Sequence, residues 1–299
     1  MSRILLLGAN GQVGHELRRS LAGSGESILT TRSGVLEDGI ATEVADFDQP
    51  ESLAALVDRI SPDVVVNAAA YTAVDRAEDD VASAFRANAE APGQLARACA
   101  ARDVLLMHYS TDYVFDGKST RPYRPDDATS PLGVYGASKL AGEVAIRESG
   151  CRHMIFRTAW VYGNHGNNFM RTMLRVGAER DQLRVVADQF GTPTPAVLIA
   201  EVTRHAIESG HSRSGTWHLT ALGETSWHAF AQEIFEQAFD RGLLARIPEV
   251  VAITTAEYPT RAHRPAYSCL DTSTLRDGFK LSLPDWRMGL VQVLDAVKN

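Results

Sequence analysis

Cysteine is scarce in this chain. Only Cys99, Cys151 and Cys269 occur among 299 residues, far apart and odd in number. That spacing offers no paired thiolates to a zinc ion or an iron–sulfur cluster and no framework of disulfides, so it fits a reducing compartment. Basic charge is also short: 30 Lys and Arg face 37 Asp and Glu, for a net charge of −7. A protein that grips nucleic acid nonspecifically needs a basic face, so that class is set aside. One anionic small molecule in a locally basic pocket is not excluded. Long apolar runs are missing too. The run Ile4-Leu5-Leu6-Leu7 stops at Gly8, too short for the core of a signal peptide, and no stretch approaches a membrane span. Repeats and low-complexity segments are absent as well. The expectation is a soluble cytoplasmic protein without a membrane partner.

What is present is ordinary in bulk: 44% apolar and 22% charged residues, with length enough for one large α/β domain or two modest ones. The information lies in the order. Residues 3–7 read as a fully buried strand. Gly8-Ala9-Asn10-Gly11-Gln12-Val13-Gly14 follows at once, and then a helical pattern begins at Glu16. Gly8 permits a tight turn, Gly11 lets backbone approach a pyrophosphate, and Gly14 allows close helix–strand packing. The free N–H groups of the helix start suit an anion. A purely structural turn is the competing reading.

The second strand, Ser27 to Thr31, ends in Thr30-Thr31-Arg32-Ser33. An NAD site would offer an acid there. Arg32 instead suits a 2′-phosphate, which tilts the expectation towards NADPH with NADH still open. A solvated loop Arg reads almost equally well. A third strand is expected over 43–47, placing Asp46 and Phe47 against an adenine edge and face. Residues 50–60 read as a helix and 63–67 as the fourth strand, opening into Ala68-Ala69-Ala70-Tyr71. Those small side chains either leave room for a ligand or make a tight core turn. A long helix over 81–101 carries Asn88, which faces water or props active-site backbone by a buried hydrogen bond. The fifth strand, 104–109, leads into Thr111, Asp112 and Tyr113. Chemistry in an open parallel sheet sits beyond the carboxyl ends of its strands, so these three are candidate substrate contacts. Asp116-Gly117 reads as a turn.

Tyr135 and Lys139 lie four residues apart in a helical run, so they share a face with Cβ atoms roughly 5–6 Å apart. A Lys ammonium about 5 Å from the phenol, at an effective dielectric of about 20, favours phenolate by roughly 3 kcal/mol, or about 2 pK units. The expectation is a tuned proton donor that needs no metal. On its own the pair is a common chance spacing. A sixth strand over 153–157 ends near Trp160, which stacks on a ligand ring or fills core.

This rhythm predicts an α/β fold with a doubly wound, Rossmann-like parallel sheet. Residues 1–163 read as a dinucleotide-binding domain. Residues 164–299 read as a mainly substrate-binding region, with roughly 183–220 returning to the sheet. The loop with Arg261, His263 and Arg264 holds phosphates or is a solvated basic loop.

The motifs together resemble the extended short-chain dehydrogenase/reductase family, over nearly the whole chain. The resemblance rests on Gly11-Gln12-Val13-Gly14, on 67–75, on Tyr109-Ser110-Thr111-Asp112-Tyr113-Val114-Phe115, on 135–143, on 156–162 and on 188–194. Within that family the chain is similar to the reductases that act on the 4-keto group of a nucleotide-linked 6-deoxysugar, used to make cell-surface polysaccharide. The resemblance implies a nicotinamide cofactor, with Thr111, Tyr135 and Lys139 as the catalytic set and Trp160 at the sugar; Arg264 is a substrate candidate from its basic loop alone. Some members hold Mg²⁺ at a homodimer interface. Glu16 and Glu201 match two of those positions, but Val197 stands at the third and offers no ligand atom. An epimerase or dehydratase of the same fold, and a non-catalytic binding protein built like the reductases, are the alternatives.

Overall fold

Ile4, Leu5, Leu6 and Leu7 have no solvent access, which a strand achieves only inside a sheet covered on both faces. In the computed structural model, which describes residues 2–210 and 214–298, this run is β1 (Ser2–Leu7). Next come β2 (Gly25–Thr31), β3 (Glu43–Val44), β4 (Val64–Asn67), β5 (Leu105–Thr111), β6 (His153–Thr158) and β7 (Gly215–His218). Among the described residues they form one sheet of seven strands in the order β7-β6-β5-β4-β1-β2-β3. Every pair is parallel. The sheet is doubly wound and Rossmann-like, and strand order reverses between β1 and β4. Ligands of such sheets bind outside that switch point.

Alternation along the strands splits the apolar residues between two cores. Leu5, Leu7, Val65, Leu106 and Ile155 pack with Leu53, Val57, Leu95 and Cys99 on one face. Ile4, Leu6, Val66, Met107 and Phe156 pack with Leu17, Ile199, Phe230 and Trp286 on the other. The second core joins both halves of the chain. All three cysteines are buried and free, and no described helix is long and apolar enough to cross a membrane.

Several elements differ from the sequence reading. The strand expected over 43–47 is only Glu43–Val44, because the Asp46 carboxylate accepts from the Asp48 N–H at 3.0 Å and turns the chain. β5 runs through Thr111, two residues beyond the expected end. The helix over 81–100 is interrupted by a π turn, Arg86–Glu90. Gln182–Val186 pairs in parallel with Glu249–Ile253, a strand not expected, in a separate two-stranded sheet. β7 forms the edge of the main sheet beside β6.

Candidate active site

The glycine turn is built by contacts that admit no side chain. Gly8 sits at φ +80, and a Cβ there would come 2.7 Å from the Ala69 nitrogen. A Cβ on Gly14 would overlap the Gly8 carbonyl oxygen. Gly11 caps the first helix (Gln12–Ser20) in extended conformation with no side-chain cap, and that first turn holds no acid. Its N–H groups and dipole therefore remain available to an anion. Loop 163–168 crosses over the turn: the Asn168 amide donates to Gln12 Oε1 at 2.9 Å. Gly166 and Asn167 line the same cleft.

That cleft has a volume of about 780 Å³, within the range of ligand sites. Gly8, Asn10, Gly11, Gln12 and Val13 line it with Arg32 and Phe47. Ala68, Ala69 and Ala70 leave its wall open. Thr111, Asp112, Tyr113, Tyr135, Lys139 and Trp160 also line it. The residues present fit a nicotinamide dinucleotide, since a cradle that any Cβ would fill meets an uncapped helix start. The region after 163 was expected to serve substrate, and its contribution to the glycine turn was not foreseen. The clustered Gly and Asn of 163–168 were the available signal.

Tyr135 and Lys139 lie on one helix (Val134–Glu148), but the expected electrostatics do not form. The Lys139 amine is drawn down onto β5, where Nζ lies 2.6 Å from the Tyr109 carbonyl and 3.2 Å from His108 Nε2. Burial lowers Lys139 to about 8. Burial likewise pushes Tyr135 well above the usual phenol range, opposed by the Thr111 hydroxyl within hydrogen-bonding reach and reinforced by Asp112 and Tyr113. Tyr135 is thus held as a neutral phenol and is not tuned towards phenolate. Its ring meets Tyr113 edge-on at 5.6 Å. Thr111 donates to Asp112 Oδ1 at 3.0 Å and accepts from the Tyr113 N–H at 3.2 Å. Burial raises Asp112 to about 6.

A fully buried Asn88 in the π turn supports this floor. Its Oδ1 accepts from the Tyr71 N–H at 2.9 Å. Its Nδ2 donates to the Tyr71 carbonyl and to Ser138 Oγ, each at 3.0 Å. The Ser138 hydroxyl in turn donates to the Tyr135 carbonyl at 2.8 Å. Asn88→Ala leaves those groups unsatisfied, so unfolding free energy falls by about 2–4 kcal/mol, read from the urea midpoint.

The remaining candidates sit less directly. Arg32 reaches the cleft but stands 3.7 Å from Asp46 and 3.5 Å from Asp48. Asp46 itself does not line the cleft; Asp48 does. Arg264 lies behind Tyr113, donating to its hydroxyl at 3.0 Å and to Asp75 Oδ2 at 2.7 Å. Arg261 is paired with Asp79, so both arginines of the 258–265 loop already face acids. Trp160 takes a left-handed φ of +48, uncommon for a bulky residue. Its indole stacks on Trp227 with centroids 3.5 Å apart.

Glu16 and Glu201 line a second pocket with Arg19, Arg204, Val197 and Gln292. Two guanidiniums offset the two carboxylates, and Val197 adds no oxygen to the octahedron that Mg²⁺ requires, so this set alone does not make a Mg²⁺ site. His15, Glu16 and His165 also bring ligand atoms within 4.8 Å of one another; burial, then His165, Arg18 and Arg19, lower His15, and those two arginines repel a cation.

The family model described as RmlD substrate binding domain matches residues 1–299. The dTDP-4-dehydrorhamnose reductase of Burkholderia thailandensis is 47% identical over 294 residues, 95% of each chain. That of Escherichia coli K12 is 44% identical over 296 residues, 98% of this chain and 97% of the relative. The crystal structure of Bacillus anthracis dTDP-4-dehydrorhamnose reductase in complex with NADP superposes with a TM-score of 0.89 at 33% identity, covering 99% of both chains. Matched over its full length, the chain belongs to the RmlD family.

Proposed function

We propose that this protein reduces the 4-keto group of dTDP-4-dehydro-L-rhamnose to give dTDP-L-rhamnose, using NADPH. The observation that carries the reading is one cleft lined both by a phosphate-ready helix start and by the hydroxyls of Thr111 and Tyr135. Residues 1–163 hold the dinucleotide, and 164–299 mainly hold the sugar nucleotide. A bound NADPH supplies the hydride.

The chain's own groups supply placement and the proton. As the carbonyl oxygen gains charge, Tyr135 donates its O–H proton to it, and Thr111 turns its hydroxyl proton from Asp112 to the same oxygen. A phenol held neutral by burial suits reduction, because it arrives loaded at working pH. Burial brings the phenol close to the acidity of the alcohol being formed, so the proton transfer is nearly balanced and needs no strong acid. Lys139 holds the cofactor's ribose end and the proton balance beside Tyr135. Asp112, Tyr113 and Trp160 face the sugar, and Arg264 fixes the Tyr113 ring. The test is nicotinamide absorbance with dTDP-4-dehydro-L-rhamnose as acceptor. Stoichiometric loss of NADPH with a reduced sugar supports the reading. An epimerised sugar without net NADPH consumption, or no turnover, overturns it.

Arg32 favours NADPH in this reading. Its present ion pairs lie beyond hydrogen-bond length, so a 2′-phosphate displaces them cheaply. Arg32→Ala should raise the Kd for NADPH about tenfold and leave NADH nearly unchanged, measured by titration of cofactor fluorescence.

A further inference from the structure

Two groups of fixed polarity bracket a short polar chain beneath the cleft. The Ala69 N–H can only donate, and the Tyr109 carbonyl can only accept. Between them lie Asn67, His108 and Lys139, all buried. Asn67 Oδ1 is 3.1 Å from the Ala69 nitrogen, and Asn67 Nδ2 is 3.1 Å from His108 Nδ1. His108 Nε2 is 3.2 Å from Lys139 Nζ, which lies 2.6 Å from the Tyr109 oxygen. Asn67 and His108 are direct partners in the β4–β5 ladder, which is why their side chains meet.

The polarity of each link follows from the first. Ala69 takes the carbonyl oxygen of Asn67, so the amide NH₂ faces His108 Nδ1, which must accept. A neutral imidazole that accepts at Nδ1 carries its proton on Nε2. Burial and Lys139 hold His108 well below its usual value, so the doubly protonated ring does not form. The Nε2–H then points at Lys139 Nζ, which accepts only as a free amine. With an amine all four hydrogen bonds are made. With an ammonium, two donors meet somewhere along the chain and one bond is lost among buried groups.

We propose that His108, oriented by Asn67, is a positioning residue that favours the amine form of Lys139 and so makes Lys139 the proton donor that restores Tyr135 after each reduction. The inference rests on the reductase reading above. Tyr135 gives its O–H proton to the alkoxide and becomes a phenolate. Lys139, charged at the start, gives one N–H proton to that phenolate through an intervening hydroxyl or water, and becomes the amine that the chain accommodates. Solvent returns a proton to the amine, so each turnover carries one solvent proton into the product alcohol.

The neighbours of Lys139 are consistent with this. Glu143, one turn along the same helix, pulls its value up, but burial outweighs it and leaves about 8. The Glu143 carboxylate is shared by Arg157 at 2.7 Å and Arg147 at 3.1 Å. Tyr135 stays neutral, and Asp112, at the end of β5, acts on Tyr135. At neutral pH Lys139 therefore holds a proton and parts with it readily.

The test is an NMR titration of the Lys139 amine in the cofactor-free protein, paired with the pH profile of kcat. Wild type should titrate near 8, with kcat falling as pH rises through that value. His108→Gln presents a side-chain oxygen to the ammonium without adding charge. Asn67→Asp accepts from both Ala69 and a His108 proton moved to Nδ1, which reverses the chain. Both variants should move the Lys139 titration and the alkaline limb of kcat upward by about one unit or more. A uniform loss of rate with both pKa values unmoved in His108→Gln overturns the proposal. Should that variant not fold, an unmoved titration in Asn67→Asp does the same. Absence of any NADPH turnover in wild type instead sinks the reductase reading and leaves the NMR titration to judge the chain.

Discussion

Tyr135→Phe lowers kcat by a factor of about 10²–10⁴ while NADPH affinity changes by less than about twofold. The substitution keeps the ring, and with it the edge-on contact to Tyr113 at 5.6 Å. It deletes only the O–H, which lies within reach of the Thr111 hydroxyl. The loss is a barrier increase of about 3–5 kcal/mol, which is what one positioned general acid contributes. It stops short of complete inactivity because the Thr111 hydroxyl still stabilises charge on the oxygen. The acid is used in the transition state and not in cofactor binding, so kcat and kcat/KM should fall together. Steady-state kinetics beside a cofactor titration separate the two effects. Turnover within a few-fold of wild type would remove Tyr135 from its role.

Gly14→Ala has the opposite sign from the helix rule. Inside an exposed helix, Gly to Ala gains about 1 kcal/mol. Here the new methyl would overlap the Gly8 carbonyl oxygen and come within 2.9 Å of its carbon and 3.0 Å of the Ala9 Cα. All three are backbone, and Gly8 is already held at φ +80 against Ala69. The first helix must tilt off β1, which costs about 1–3 kcal/mol net and opens the turn whose N–H groups face the pyrophosphate. The Kd for NADPH should therefore rise at least about tenfold, equivalent to about 1.4 kcal/mol. Gly23→Ala is the control: nothing lies within 4 Å of a Cβ there, and stability should stay within about 0.5 kcal/mol. Urea unfolding and cofactor titration of both variants check the pair.

Local patterns were readable without a structure. The strand–glycine–helix unit, the Tyr135–Lys139 spacing and the alternation of strands with helices each report on neighbours a few residues away. What required the fold was everything set by register and long-range contact. Asn67 meets His108 only because β4 and β5 pair in that register. The Lys139 amine therefore finds His108 and the Tyr109 carbonyl, and the tuning expected from helix geometry alone does not arise. Arg32 reads as a bare cation until the 46–48 turn brings two acids beside it. Trp160 and Trp227 stack across 67 positions of sequence, and Gln182–Val186 finds its partner at 249–253. No periodicity encodes such pairings. Asn88 is the intermediate case: a polar residue on an apolar helix face left two roles open, and the π turn selects the buried one.

The most direct measurement follows a deuterium label from the transferable position of NADPH into the sugar. Incubation with dTDP-4-dehydro-L-rhamnose should place one deuterium on C4 of a dTDP-L-rhamnose product for each NADP⁺ formed, with the hydroxyl proton drawn from solvent. A product without label at C4, or an altered sugar formed with the labelled cofactor intact, would contradict the account.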